Sequence, residues 1–351
     1  MKPIYKDTRT PAAEGGRAVG IRAVAKRAGV STATVSRSLN NPASVSPELR
    51  AKISAIIEEI GYIPDASARA LSSRRTRTIG AIVPTIDNAM FAQGLQALQS
   101  FLAQRDYLLL LATNEYDLEV ELQQARNLVS RGVDGLILRG DKHSEELRRL
   151  LDAQAIPFVN VGVYEPDKPY PSIGVDNARA GRRVTRHLID LGHRRVGIVA
   201  AMQRNNDRAQ ARLAGILAEL SEHDATPPEA WMLQVNYKLD DARQAARTLL
   251  SQPHRPTAVV CGNDVIAYGV MLEALKLGLA VPGDVSVVGF DDLEWSRHLS
   301  PSLTTIHMPT DEIWVRAGEY LVQTLAGAPT MAHREIDFSL VVRESTAPPK
   351  E

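Results

Sequence analysis

Between residues 79 and 291 short apolar, β-rich runs alternate with helical stretches, and this alternation constrains the fold of the 351-residue chain more than any other feature. The runs are IGAIVP, YLLLLAT, GLILRG, PFVNVGV, RRVGIVA, TAVVCGND and VSVVGFD. Helical spacing fills intervals between them, over residues 91–104, 118–131, 178–191 and 265–277. A short continuous apolar run is what a strand covered on both faces shows, and parallel strands need crossovers that supply the cover. The expected fold class is therefore α/β, with enough strands for two doubly wound parallel-sheet subdomains. Ligands in such folds bind beyond the carboxyl ends of the strands. The fold alone does not specify a function.

Signatures of catalysis do not occur in this frame. There is no Walker loop, no GxGxxG between a strand and a helix, no GxSxG and no HExxH. His193, His298 and His307 stand at loop and strand edges without metal-ligand spacing, which reads as surface or supporting histidines. Neither a cofactor, a metal nor a catalytic residue is expected. Cys261 is the single cysteine, so no disulfide forms within the chain, in keeping with a reducing cytoplasm. No run of about 18 apolar residues occurs, so no membrane span is expected. Residues 1–19 are polar, lack an apolar h-region, and read as a disordered leader rather than a signal peptide.

The formal net charge is zero, yet its distribution is uneven. Residues 1–78 hold 14 Lys/Arg against 6 Asp/Glu, and the remainder 27 against 35. A basic head on an acidic body suits a polyanion-binding module joined to a different kind of domain. Within the head, Ile21, Val24, Ala25 and Ala28 form one stripe of a short helix, and Gly29 follows where a helix end needs positive φ. Ser31 can cap a second helix from Thr32 to about Leu39, which Asn40-Asn41-Pro42 ends. Ser46-Pro47 opens a third, with Leu49, Ile53, Ile56 and Ile60 as its buried face and Gly61 as its stop. Two short helices about a tight glycine turn, packed on a third, form a helix-turn-helix unit; a generic three-helix bundle shares the pattern. The second helix, TATVSRSLN, is rich in Ser and Thr. That local cost makes sense if the hydroxyls of Ser31, Thr34 and Ser36 face phosphates while Val35 and Leu39 pack inward.

The stretch IRAVAKRAGVSTATVSRSLNNPASVSPELRAKISAIIEEIGYIPDASARAL resembles, almost position by position, the headpiece of the LacI–GalR family of transcriptional regulators. The family signature AGVSxATVSRxLN stands at residues 28–40. The resemblance implies that the helix opening at Ser31 lies in the major groove of double-stranded operator DNA. Thr32 and Ala33 match the family's specificity positions, and Arg37 a third base-reading position. Their chemistry agrees: Arg37 can fork onto guanine O6/N7, and Ala33 and the Thr32 methyl can pack on thymine methyls. A phosphate clamp is the alternative role for Arg37. DNA contacts are also expected from Ser31, Thr34, Ser36 and Asn40. Further along, Asp65 can cap a short helix through Leu71, too short to hold in water alone. The resemblance makes it a hinge helix that enters the minor groove, with contacts from Arg69 and a wedge from Leu71, an apolar side chain suited to that task. Capping the core of the body is the alternative for Leu71. Asp65 departs from the Asn of many members.

The resemblance covers residues 20–347, with landmarks GHRRVGIV, CGND, VPGDVSVVGFDD and PSLTTI. It implies a leader (1–19), a headpiece (20–63), a hinge helix and linker (64–77), and a periplasmic-binding-protein-like effector and dimerisation domain (78–351). The last divides into one subdomain of about 78–176 plus 309–334 and another of about 177–308 plus 335–351. Effector contacts are implied for Phe91, Asn206, Arg208, Arg212, Tyr237, Asn263 and Asp291. These types suit a polar ligand, with Asp291 and Asn263 on hydroxyls, Arg212 on oxygens, and Phe91 and Tyr237 as stacking faces; ordinary cleft lining is the alternative for each, and core packing for Phe91. Purine-binding members carry other residues at positions 206 and 208, and Gly162 stands where several members place an Asp. An extra cation and a missing carboxylate favour an anionic ligand such as a sugar acid over a neutral sugar. The C-terminal VVRESTAPPKE has no heptad tail, so a homodimer is expected. The function implied is that of a cytoplasmic regulator of transcription, a repressor that reads a pseudo-palindromic operator and is switched allosterically by a sugar or sugar acid. A small-molecule-binding protein or α/β enzyme with an unrelated basic head is the alternative.

Overall fold

The computed structural model describes residues 20–63 and 75–350. The expected leader and the expected hinge helix, with Arg69 and Leu71, lie outside the described residues. The chain divides into two units, Met1–Thr76 and Arg77–Glu351.

The first unit contains three helices, α1 (Ile21–Ala28), α2 (Thr32–Asn40) and α3 (Pro47–Ile60). Gly29 and Gly61 end α1 and α3 in the left-handed region, at φ 74° and 63°. The Ser31 and Ser46 hydroxyls accept backbone N–H groups of the first turns of α2 and α3, satisfying donors that have no partner inside the helix. Val24, Ala25, Ala28, Val35, Ile53, Ile56 and Tyr62 form the small core, ringed by partly buried Ile21, Leu39, Leu49 and Ile60.

The second unit holds two six-stranded sheets. The first contains β1 (Thr78–Val83), β2 (Leu108–Thr113), β3 (Gly135–Arg139), β4 (Phe158–Val161), β5 (Ser172–Gly174) and β11 (His333–Glu335). The second contains β6 (Val196–Ala201), β7 (Met232–Val235), β8 (Ala258–Cys261), β9 (Ser286–Asp291), β10 (Thr304–His307) and β12 (Ser339–Val341). The strand orders are β11-β5-β4-β3-β1-β2 and β12-β10-β9-β8-β6-β7. All pairings are parallel except that of β12 with β10. The seven apolar runs are β1–β4, β6, β8 and β9.

The described helices of this unit are α4 (Ala89–Ala103), α5 (Leu118–Ser130), α6 (Glu145–Ala153), α7 (Asn177–Asp190), α8 (Asp207–Glu222), α9 (Leu239–Leu250), α10 (Asp264–Lys276) and α11 (Thr310–Leu325). In each sheet the winding direction reverses, between β1 and β3 and between β6 and β8. Loops leaving the carboxyl ends there diverge and leave a crevice. The chain passes from one sheet to the other after β5, β10 and β11. No described helix is long and apolar enough to cross a membrane.

His193 is not at the surface. It is buried between Thr257 Oγ1 (2.9 Å), Ser286 Oγ (3.2 Å) and the Ala347 carbonyl (2.9 Å), and so fastens the C-terminal segment to the second sheet. His307 is exposed and pairs with Asp292 at 3.1 Å.

Helices α7 and α8 pack backbone to backbone. A Cβ at Gly215 would run into the Ala178 carbonyl, and one at Gly181 into the Arg212 carbonyl. Neither obstacle is a flexible side-chain end, so the helices must separate to admit a methyl group. Gly215→Ala should therefore destabilise the second unit by about 1–3 kcal/mol, read as a lower urea midpoint of its unfolding transition.

Candidate functional site

The exposed side of α2 is built by its cap. Ser31 Oγ accepts the Thr34 N–H at 3.1 Å and lies 2.9 Å from Thr34 Oγ1, so both hydroxyls are engaged within the helix start. Val35 and Ser38 turn inward, leaving Thr32, Ala33, Arg37 and Asn40 exposed. Ala33 and Arg37, four residues apart, share one face. Arg37 Nε reaches the Ala33 carbonyl at 3.4 Å, and Asn40 Nδ2 donates to Ser36 Oγ at 3.2 Å. Arg37 forms no ion pair among the described residues, and α2 carries no acidic residue. An unpaired fork-shaped cation flanked by small side chains can enter a groove and meet base edges.

The second candidate lies at the carboxyl edges of both sheets. Asn206 and Asn263 cap α8 and α10, accepting the N–H groups of Ala209 (3.3 Å) and Ile266 (3.0 Å). The cap fixes where each remaining amide nitrogen points. Asn206 Nδ2 donates to the Met202 carbonyl and to the Tyr237 hydroxyl, both at 3.1 Å. Asn263 Nδ2 and both carboxylate oxygens of Asp291 are buried without a well-formed hydrogen bond among the described residues, and they lie beside each other. Asp291 ends β9 at φ 106°, and the next residue, Asp292, is pinned by Arg343 at 2.5 Å and by His307. That anchored turn aims the Asp291 carboxyl inward at the cost of a strained backbone. Burial pushes its pKa up to about 6, against Arg212, Arg139 and the adjacent Asn263.

The expected arginines are placed differently from one another. Arg212 lies over the Phe290 ring at 4.1 Å and donates to the Gly262 carbonyl at 2.5 Å and to Asn177 Oδ1 at 3.3 Å. Arg208 pairs with its neighbour Asp207 at 2.6 Å. The extra cation read at position 208 is thus matched by an adjacent carboxylate. Phe91, expected to offer a stacking face, is buried in the core with the Arg139 guanidinium 5.5 Å from its ring centroid. Tyr237 stacks on Tyr116, with centroids 6.4 Å apart.

Four contributors were not singled out in the sequence: Arg139, Tyr116, Asp207 and Asn177. Arg139 closes β3 and is the charged end of the run GLILRG, a visible signal at the edge where ligands bind. Burial, with Arg208 nearby, pulls its pKa down to about 10. Asp207 and Asn205 also join the two sheets' loops across the cleft. The Asp207 carboxylate accepts the Asp141 N–H at 2.5 Å, and Asn205 Nδ2 donates to the Tyr116 carbonyl at 2.9 Å. Burial drives the Tyr116 phenol far above its ordinary value, so it stays a neutral hydroxyl. Cys261 is buried and its thiol is pushed up, which disfavours the reactive thiolate. No group of three or more His, Cys, Asp or Glu side chains among the described residues could hold a metal ion.

Residues 20–65 match the model for bacterial regulatory proteins of the lacI family, and residues 185–346 that for a periplasmic binding protein-like domain. The chain is 36% identical over 330 residues to the HTH-type transcriptional repressor PurR of Escherichia coli O139:H28, covering 93% of this chain and 96% of that protein. It belongs to the lacI family. Among solved structures, the lac repressor dimer bound to operator and the anti-inducer ONPF superposes with a TM-score of 0.85 at 27% identity, over 94% of this chain and 100% of that one. A transcriptional regulator CelR–cellobiose complex matches with a TM-score of 0.69 at 28% identity, over 93% and 99%. This lacI-family chain is a DNA-binding regulator of transcription and not an enzyme.

The raised pKa of Asp291 has a sign that stability reports. Its folded value of about 6 exceeds the ~4 of an unfolded chain, so the fold binds this proton more tightly than the unfolded chain does. Stability from the protonated form is complete below about pH 4 and is lost as pH rises towards 6. Asp291→Asn should therefore raise the ligand-free melting temperature at pH 7.5, with a gain on the order of 2–3 kcal/mol that shrinks towards pH 5. A lower melting temperature at pH 7.5 would contradict this account.

Proposed function

We propose that the chain represses transcription as a homodimer on a pseudo-palindromic operator, and that a small polar ligand, a sugar or sugar acid, switches it through the cleft. The observation that carries the ligand is the buried, sparsely hydrogen-bonded cluster where Asp291 and Asn263 meet, whose polar atoms have no well-formed bond among the described residues. Each costs about 1–3 kcal/mol unless something accepts or donates to it, and ligand hydroxyls would do both. A relative solved with cellobiose supports the sugar class.

The homodimer is supported by an apolar groove on the second unit, lined by Leu239, Leu272, Leu275 and Trp295, with Leu275 74% and Trp295 70% exposed. A patch of that kind calls for cover, and the lac repressor was solved as a dimer on operator. In such a dimer each headpiece reads one half-site, with Thr32, Ala33 and Arg37 on base edges and Ser31, Thr34, Ser36 and Asn40 near the backbone. The sequence at residues 65–71 supports a hinge helix in the minor groove, with Arg69 and Leu71 as its contacts. The bridges from Asp207 to Asp141 and from Asn205 to Tyr116 give the cleft contacts that opening would break. A ligand that prefers one state shifts the balance, and a coupling of ~1–3 kcal/mol is ordinary for such switches.

Two substitutions test the DNA side. Arg37→Ala should weaken operator binding by about ten- to a hundredfold while affecting random DNA little, as measured by fluorescence anisotropy at fixed salt. Equal losses on both would make Arg37 a phosphate clamp. Leu71→Ala should reduce operator bending in a circular-permutation gel assay; unchanged bending and affinity would remove the wedge.

A further inference from the structure

We propose that the Arg139 guanidinium receives the carboxylate of the cleft's ligand, so that the ligand is a polyhydroxy monocarboxylate with its acid end on Arg139 and its hydroxyls on Asp291 and Asn263. This rests on reading the cleft as a ligand site and adds the charge and orientation of the occupant.

Three arginines reach the cleft, and their partners differ. Arg208 has Asp207, and Arg212 has the Gly262 carbonyl and Asn177. Arg139 donates to the Val161 carbonyl at a long 3.4 Å, its Nε is buried without a partner, and it forms no ion pair among the described residues. Half-buried, it shares the nearby Asp291 and Asp207 carboxylates with Arg212 and Arg208, so a further anion would be favourable beside it. The Phe91 ring lies 5.5 Å from the guanidinium, and a guanidinium fork matches a planar carboxylate.

Gly162 fixes the placement. It sits at the end of β4 with φ 81°, and a Cβ there would collide with the Arg139 guanidinium. The missing side chain at position 162 and the arginine at position 139 are two halves of one arrangement. Any side chain introduced at 162 would displace the guanidinium from this position.

The charge count selects a monoanion. Arg139, Arg208 and Arg212 face Asp207 and Asp291, which leaves one positive charge unmatched. One carboxylate balances it, whereas a phosphate ester, carrying up to two negative charges, would overshoot. Helices α8 and α10 also begin at this edge, and their positive ends favour an anion.

The test is isothermal titration of the full-length protein with gluconate, galactonate, glucuronate and galacturonate, against glucose, galactose, glucitol and galactitol, and with glucose 6-phosphate as the phosphate arm. Wild type should bind at least one acid well above its neutral counterpart. Arg139→Gln should weaken that acid by about ten- to a hundredfold and leave the neutral counterpart unchanged, whereas Asp291→Asn should weaken both. The ligand-free melting temperature of Arg139→Gln should equal or exceed that of wild type, which a merely structural arginine would not allow. If that variant fails to fold, Arg139→Lys serves: it keeps the charge, loses the fork, and should still lower the acid's affinity selectively. Unchanged acid binding in the variant, tighter binding of the phosphate ester, or binding of neutral sugars alone overturns the carboxylate assignment and leaves the cleft a ligand site. Binding of no probe by wild type overturns both.

Discussion

Parallel strands have to be joined over a sheet face, so each strand delivers its carboxyl end, and the next helix its amino end, to the same edge. In this chain the requirement acts twice, once per sheet. It brings the starts of α4, α7, α8 and α10 to that edge, capped by Asn88, Asp176, Asn206 and Asn263. Each cap stabilises its helix by about 1 kcal/mol. It also fixes a side chain whose remaining polar atom must go somewhere. For Asn206 that atom goes to Tyr237, and for Asn263 it lies beside the Asp291 carboxylate. The polarity of the site therefore follows from how the helices start.

The legible parts of the fold are those whose burial is recorded in their own residues. β1 is buried at every position and reads as an unbroken apolar run. β5 and β11, of three residues each, owe their pairing to neighbours and carry no pattern of their own. The headpiece was legible through punctuation: Gly29, Ser31, Ser46-Pro47 and Gly61 fall where the structure caps or ends its helices. Phe91 shows the opposite case. Its type suggested a stacking face, but it belongs to the α4 stripe Met90, Phe91, Gly94, Leu95 and Leu98, whose spacing already marks a core face. Arg139 is visible as the charged end of GLILRG, but its role depends on Gly162 and Arg208, distant in sequence. Asp207, beside Arg208, was in plain view, and weighing it would have moved the surplus cation to another residue.

Sparsely hydrogen-bonded polar groups, a strained Asp291 and an Arg139 with no close ion pair among the described residues all burden the cleft. Against a domain stability of roughly 5–15 kcal/mol, several terms of ~1–3 kcal/mol each are tolerable only because the surrounding strands are so thoroughly buried. β6, β8 and β9 are buried along their full lengths. The rigid sheets carry the strain, and the loops at their edges hold it in place. A ligand that relieves those terms gains affinity from them, and gains it only in the arrangement where Asp291, Asn263 and Arg139 face one another. Differential affinity of that kind is what a switch requires.

The same arithmetic bears on how a cleft could govern a DNA-reading helix in a separate unit. The proposed hinge over residues 65–71 is shorter than a helix that holds itself in water, because nucleation outweighs the few hydrogen bonds gained. Under that proposal its helical form would depend on the DNA it binds. An element so near balance responds to small inputs: ~1.4 kcal/mol changes an equilibrium tenfold. In the proposed dimer the two hinges would share one operator centre, so the cost of losing support would be incurred at two segments together. Under that proposal a modest bias at each cleft would become a large change in operator occupancy.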